Sequence, residues 1–196
     1  MKSCGAVMIG CRFAVVVVLL AASALVAPIA AAHSASDAYL TLDEGARTAS
    51  GKTVVRGQWD VALRDLDFVL PLDTNGDGNI TWGELRPRQA AIERYAYGTL
   101  HMSADGKACT LRPLRQRVDN HADGAYAALS FEITCAGTPA RLTLNYRLFF
   151  AIDPSHRCIL IFRTWNGTAT ALLSPNHASV NLALQAGRTA PATGPR

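Results

Sequence analysis

The sequence lacks the short motifs that identify most hydrolases and nucleotide-binding proteins. It contains no G-x-S-x-G nucleophile elbow, no H-E-x-x-H zinc motif and no glycine-rich phosphate loop. It also has no Cys-x-x-Cys pair of the kind that thiolate metal sites use. These absences disfavour the common catalytic classes, and we expect a protein that is not an enzyme.

The N-terminal segment has the layout of a secretory signal peptide. Lys2 and Arg12 precede an apolar run over residues 13–26, and an A-x-A cleavage site follows. We therefore expect residues 1–32 to be removed and the mature chain to begin near His33, exported to the periplasm or secreted by a bacterium. A retained membrane anchor is the alternative, because the apolar run approaches the ~20 residues that span a bilayer.

The charge of the mature chain is small. Two of the 19 basic residues fall in the signal peptide, which leaves 17 basic against 15 acidic residues in 164. A balance this close to neutral favours neither nucleic acid nor an anionic membrane as a partner. We expect no nucleic-acid binding and no direct membrane insertion after signal cleavage, and a length that suits one domain with its own core.

Three of the five cysteines lie beyond the signal peptide, at positions 109, 135 and 158. In an oxidising compartment, three cysteines predict one disulfide and one free thiol. We favour the Cys109–Cys135 pair, which encloses 25 residues. The other two pairings stay open at this level.

Alternation of apolar and polar residues predicts a mainly β protein. The predicted strands cover residues 37–44, 52–61, 108–118, 125–135, 140–150, 158–165, 168–174 and 178–184. Turn-forming sequences separate them at short intervals, which favours an antiparallel, Ig-like β-sandwich over residues 33–186. The small and proline-bearing segment 187–196 predicts a disordered tail.

Helical periodicity interrupts this β pattern. Apolar residues recur at three- and four-residue steps over residues 61–70, and a second helical pattern covers residues 87–100. We therefore predict a helical insertion at about residues 60–100, and an insertion of this kind favours a functional explanation.

Between these two helical patterns lies the segment DTNGDGNITWGE, Asp73–Glu84. It matches the calcium-loop pattern D-x-[DN]-x-[DN]-G-x₅-E at every fixed position. Its spacing allows alternate residues to direct oxygen atoms at one hard dication, while Gly78 permits the sharp turn. The predicted ligands to one Ca²⁺ are Asp73, Asn75, Asp77, Asn79 through its carbonyl, Thr81 and Glu84. Ile80 is expected to face the core.

The segment resembles the EF-hand, a helix–loop–helix calcium motif. Pro71 and Pro87 depart from that motif, because they interrupt the entering and exiting helices. No second loop is present, so the resemblance implies a structural or accessory calcium site without calmodulin-like opening. A metal-free polar turn, with Thr81 and Glu84 as a helix capping box, is the alternative.

Three stretches, AHSASDAYLTL, GQWDVALRDLDFVL and LDTNGDGNITWGEL, together resemble the extracytoplasmic N-terminal region of HupE/UreJ-like bacterial membrane proteins. The resemblance implies an exported accessory domain, with a separate membrane protein as a candidate partner, because no apolar segment of spanning length follows Leu184.

Two other functions stay open. One is a periplasmic nickel- or copper-binding accessory domain, anchored by His33 with a distant histidine at 101, 121, 156 or 177. The other is a hydrolase that uses calcium only for structure. It predicts a clustered Ser/His/Asp set in a pocket.

Overall fold

The computed structural model describes residues 36–45 and 47–184. The predicted signal peptide, His33 and the predicted tail lie outside the described residues. The strands are β1 (Asp37–Glu44), β2 (Thr53–Ala62), β3 (Leu100–Ala104), β4 (Lys107–Ala108), β5 (Thr110–His121), β6 (Gly124–Cys135), β7 (Arg141–Tyr146), β8 (Arg157–Thr164), β9 (Gly167–Leu173) and β10 (Ser179–Ala183). The α-helices are α1 (Leu63–Asp67), α2 (Trp82–Leu85) and α3 (Gln89–Tyr97), with a 3₁₀ turn at Arg86–Arg88 between α2 and α3.

The strands form two sheets, which confirms the mainly β prediction. The six-stranded sheet has the order β5-β6-β2-β1-β8-β9, and the four-stranded sheet has the order β10-β7-β3-β4. One pair departs from the predicted antiparallel arrangement, because β1 and β8 run parallel, with Leu40 opposite Leu160. The apolar–polar alternation of β1 is typical of an antiparallel strand with one buried face, so its pattern did not indicate a parallel neighbour.

Both sheets contribute side chains to one hydrophobic cluster. Trp59 and Phe131 enter it from the six-stranded sheet, and Leu142 and Tyr146 enter it from the four-stranded sheet, all fully buried. Gly57 on β2 lies against the Phe131 ring, and a Cβ at this position would overlap that ring. The cluster therefore needs glycine at this point.

The predicted helices are shorter in the structure. The first one is reduced to α1, because the β2–β6 ladder continues to Ala62, opposite Tyr126. The second is divided into the 3₁₀ turn, which contains Pro87, and α3. The chain then enters β3 at Leu100, a strand that the sequence analysis missed. Among the described residues, no helix is long and apolar enough to cross a membrane.

The connection between β1 and β2 contains the sequence Gly51-Lys52-Thr53. It joins two antiparallel strands, and β2 begins at Thr53. A phosphate-binding loop of similar sequence needs a helix directly after it. This segment is therefore a hairpin connection.

The disulfide joins Cys109 to Cys135, as predicted, with an S–S distance of 2.02 Å. It connects the segment before β5 to the last residue of β6. Cys158 on β8 is a buried free thiol.

We expect replacement of Cys109 and Cys135 by alanine to lower the free energy of unfolding by about 3 to 4 kcal/mol, because the bond restricts the unfolded chain between two residues that are 26 positions apart. Urea unfolding of the oxidised protein and the double variant measures the difference. The same unfolding free energy for both proteins would contradict a stabilising role for this bond.

Candidate metal centre

The polar segment Asp73–Glu84 follows α1 and includes the first three residues of α2, and two buried leucines hold its ends. Leu72, just before it, and Leu85, just after its last residue, are 0% and 1% exposed. The predicted inward-facing residue, Ile80, is partly buried and packs against the hydrophobic cluster. The segment therefore lies on the surface, and the side chains of Leu72, Ile80 and Leu85 fix it to the core.

Asp67, at the end of α1, organises the entrance to the segment. Its Oδ1 accepts hydrogen bonds from the backbone N–H groups of Leu72, at 2.6 Å, and Asp73, at 2.9 Å. Sequence reasoning missed this residue because it precedes the calcium-loop pattern. The sequence feature that could have identified it is its residue type, because an aspartate at the end of a helix can accept hydrogen bonds from the backbone N–H groups that follow.

The carboxylate of Asp73 shapes the first turn. Its Oδ1 and Oδ2 accept from the backbone N–H groups of Gly76 and Gly78, each at 2.8 Å. Both glycines have positive φ, +73° and +81°, a conformation that other residues rarely adopt. The predicted role of Gly78 in a sharp turn agrees with this geometry.

Asn75, Asp77 and Asn79 form the middle of the segment. The Oδ1 of Asn75 accepts from the Asp77 N–H at 2.9 Å, and the Oδ1 of Asp77 accepts from the Asn79 N–H at 2.7 Å. The Nδ2 of Asn75 also donates to Asp77 Oδ2 at 3.0 Å. All three side chains are solvent-exposed.

Glu84 joins the two ends of the segment. Its Oε1 accepts from the N–H and Oγ1 of Thr74, both at 2.9 Å, and its Oε2 accepts from the N–H and Oγ1 of Thr81, at 3.0 and 2.7 Å. Hydrogen bonds to a carboxylate favour its charged form. The bonds from Thr81, followed by those from Thr74, lower the pKa of Glu84 to about 2.

The oxygen-rich chemistry of this segment fits a hard dication such as Ca²⁺, since carboxylate, amide, hydroxyl and backbone oxygens all occur within twelve residues. Among the residues that the structure describes, no three His, Cys, Asp or Glu side chains converge closely enough to share one ion. The carboxylates of Asp73 and Glu84 are instead directed at backbone N–H groups of the segment. The calcium assignment of the six predicted ligands stays a prediction.

The structure does not show the helix–loop–helix form of an EF-hand. The flanking helices α1 and α2 have only five and four residues. Thr81 is the N-cap of α2, and Glu84 reaches back to its N–H, which is the capping arrangement of the metal-free alternative. Glu84 would use the same carboxylate to cap α2 and to bind an ion.

A second polar cluster lies at the start of β1. Ser36 Oγ donates to Asp65 Oδ2 at 3.0 Å and lies 2.7 Å from Nδ1 of His156, while Nε2 of His156 lies 2.7 Å from the Tyr146 hydroxyl. His156 is fully buried. No sequence spacing indicates this cluster, because its members come from the residue before β1, from α1, from β7 and from the segment before β8.

The cluster bears on the hydrolase hypothesis, which predicted clustered Ser, His and Asp side chains. The structure brings these residue types together, but the serine lies between the carboxylate and the imidazole. In a catalytic triad the imidazole occupies the middle position and the carboxylate orients it. The order in this cluster suits a hydrogen-bonded support for β1 better than an activated nucleophile.

Within the part of the chain that the structure describes, the remaining histidines belong to no group of His, Cys, Asp and Glu side chains that could hold a metal ion. His121 lies 3.3 Å from Asp60 on the six-stranded sheet, His101 lies on β3, and His177 lies in the turn before β10. The polar segment 119–123 forms the end of β5 and its hairpin turn, where Asp123 accepts a hydrogen bond from Arg64 at 3.0 Å. The nickel or copper hypothesis depends on His33, outside the described residues.

Comparison with known proteins gives no family. No family model matches the chain, and no curated protein matches it. The resemblances to the EF-hand and to HupE/UreJ-like proteins therefore stay predictions.

We expect the Glu84 carboxyl to titrate near pH 2 in the folded protein without calcium. Because this pKa is depressed, the Glu84 bonds contribute fully above the unfolded value of about 4.3 and are lost as the pH falls toward 2. Carboxyl ¹³C NMR measures the titration. Thr81→Val removes one donor and raises the pKa, whereas Thr48→Val, in the β1–β2 connection, leaves it unchanged. A wild-type pKa near 4.3 would contradict the hydrogen bonds described.

Burial lowers the pKa of His156 to about 4. The unfolded chain, with a pKa near 6.5, binds a proton that the folded protein excludes, so stability falls as the pH drops from about 6.5 toward 4. The expected loss is on the order of 3 kcal/mol. Urea unfolding at several pH values measures it. His156→Gln should flatten this dependence, and His101→Gln, at an exposed site, should preserve it.

Proposed function

We propose that the chain is an exported, non-enzymatic calcium-binding domain, with one Ca²⁺ held by the segment Asp73–Glu84. The observation that carries this proposal is the agreement of the segment with the calcium-loop pattern at every fixed position, within a loop that Glu84 closes at both ends.

The side chains of Asp73, Asn75, Asp77, Thr81 and Glu84, with the Asn79 carbonyl, would hold the ion. Each of these residues lies in one short surface segment, and oxygen is the only ligand atom that they offer. A bound Ca²⁺ supplies two positive charges among three carboxylates and lowers their mutual repulsion. The positive-φ glycines at positions 76 and 78 support the proposal, because a tight loop around an ion needs such turns.

The site's place in the fold supports a structural role. Asp67 and Leu72 fix the start of the segment to α1 and the core, and Leu85 fixes its end. Ion binding would therefore hold α1 and α2 together at one side of the β domain, which we propose to be an Ig-like β-sandwich. The single cluster shared by the two sheets supports that architecture.

An accessory role in a bacterial envelope rests on the resemblance to the extracytoplasmic region of HupE/UreJ-like proteins. In this proposal a separate membrane protein is the partner. The lone site and the short flanking helices favour an affinity in the ~10⁻⁴–10⁻³ M range of extracellular modules.

We expect Ca²⁺ at 100 times its dissociation constant to stabilise the protein by about 2.7 kcal/mol, and to raise the melting temperature by several degrees. Thermal unfolding with Ca²⁺ and with EGTA measures the shift. Glu84→Gln should abolish the shift, and Glu93→Gln, on α3 and outside the segment, should preserve it. Because Glu84 also caps α2, the melting temperature of each variant in Ca²⁺ is compared with that of the same variant in EGTA.

Terbium luminescence gives an independent readout. Trp82 lies inside the segment and is 49% exposed, so it should sensitise bound Tb³⁺, and Ca²⁺ should displace the lanthanide. A melting temperature that does not respond to millimolar Ca²⁺, together with no sensitised emission, would overturn the calcium proposal.

A further inference from the structure

The two edges of the six-stranded sheet differ in their protection against pairing with another strand. β5, at one edge, carries Arg112, Arg115 and Arg117, contains Pro113, and has a register shift between Pro113 and Arg115. Charged side chains, proline and bulges are the devices by which natural proteins prevent edge-to-edge pairing. The β5 edge uses all three.

β9, at the other edge, uses none of them. Its sequence, Gly167–Leu173, contains no charged residue and no proline, and its pairing with β8 shows no register shift. Among the described residues, no strand pairs with its outer side. An uncharged, regular strand of seven residues with a free edge is a template for another strand.

Both faces of this edge have apolar surface. On the face away from the core, Leu172 and its neighbour Ile159 are 59% and 36% exposed. On the opposite face, a cavity of about 420 Å³ separates β9 from β10, and Ala169 and Ala171 line it beside Leu182. The two sheets are therefore not closed against each other at this side.

From these observations we infer that β9 pairs antiparallel with β9 of a second copy of the chain, around a two-fold axis at Thr170. The pairing would join two six-stranded sheets into one continuous sheet of twelve strands. Every second residue of β9 directs its N–H and C=O groups away from β8, and these groups gain partners in the dimer.

The sequence of β9 is self-complementary in this register. Thr170 lies opposite Thr170 of the partner subunit, and Thr168 lies opposite Leu172 of the partner subunit. No like charges meet, and threonine pairs directly opposite each other stabilise antiparallel strands. A closed two-fold contact of this type also uses the same surface on both copies, as isologous dimers do.

The β8–β9 hairpin enlarges the contact. Trp165, at its tip, is 51% exposed. With Thr170 on the axis, the tip of one hairpin approaches the turn at Ser174–His177 of the partner subunit. An aromatic side chain at this place would bury apolar area at the edge of the interface.

Sedimentation equilibrium of the full mature chain, from about 10 μM to about 1 mM, tests the inference. We expect a rising dimer fraction. Thr170→Lys should raise the dissociation constant at least about tenfold, because two ammonium groups then meet at the axis. The matched control is Val118→Lys, at an exposed position of β5, which should leave it unchanged. Far-UV circular dichroism confirms that both variants fold.

Cysteine crosslinking provides a second measurement. Under mild oxidation, Thr170→Cys should give a disulfide-linked dimer, since residues directly opposite on paired strands lie within reach of such a bond. Val118→Cys, at the other edge of the sheet, should give no disulfide-linked dimer under the same conditions. A monomer over the whole concentration range, equal effects of the two lysine variants, or equal crosslinking of the two cysteine variants would each overturn the inference.

Discussion

The apolar side chains that the two sheets direct toward each other form one cluster, and the polar surface segment depends on that cluster for its position. Leu72 and Leu85 are both members of it, one at each end of the segment. Burying a leucine stabilises a protein by roughly 1.5–3 kcal/mol, which exceeds what an exposed polar turn supplies for itself. The loop therefore has a fixed base although most of its residues contact solvent.

Inside the segment, local hydrogen bonds impose a second level of order. Three carboxylates lie in twelve residues, and their repulsion would open the loop if no donors faced them. Backbone N–H groups and threonine hydroxyls provide those donors, most of all at Glu84. The conformation of the segment is thus organised by its own hydrogen bonds.

Much of the fold could be predicted from the sequence, because burial has a period of two in strands. Asp37–Glu44 was predicted with its observed bounds, since its burial alternates almost strictly. The parallel pairing of β1 with β8 could not be predicted, because it joins segments about 120 residues apart and depends on which sheet edge remains free. β3 was missed because it is short and follows α3 after two residues.

The same contrast applies to the candidate site. The positions of Asp73 through Glu84 follow from a local spacing, and the turns at Gly76 and Gly78 agree with it. Asp67 lies outside that spacing, and its role depends on how α1 ends. The cluster of Ser36, Asp65 and His156 comes from distant parts of the chain, so only tertiary structure reveals it.

The parallel contact between β1 and β8 bears on the order in which the strands of the six-stranded sheet assemble. β1 occupies an interior position between β2 and β8, so it obtains its second neighbour only when a segment late in the chain joins the sheet. Until then, one side of β1 has unpaired backbone groups. Completion of the six-stranded sheet is therefore a late event in folding, because contacts between segments distant in sequence form slowly.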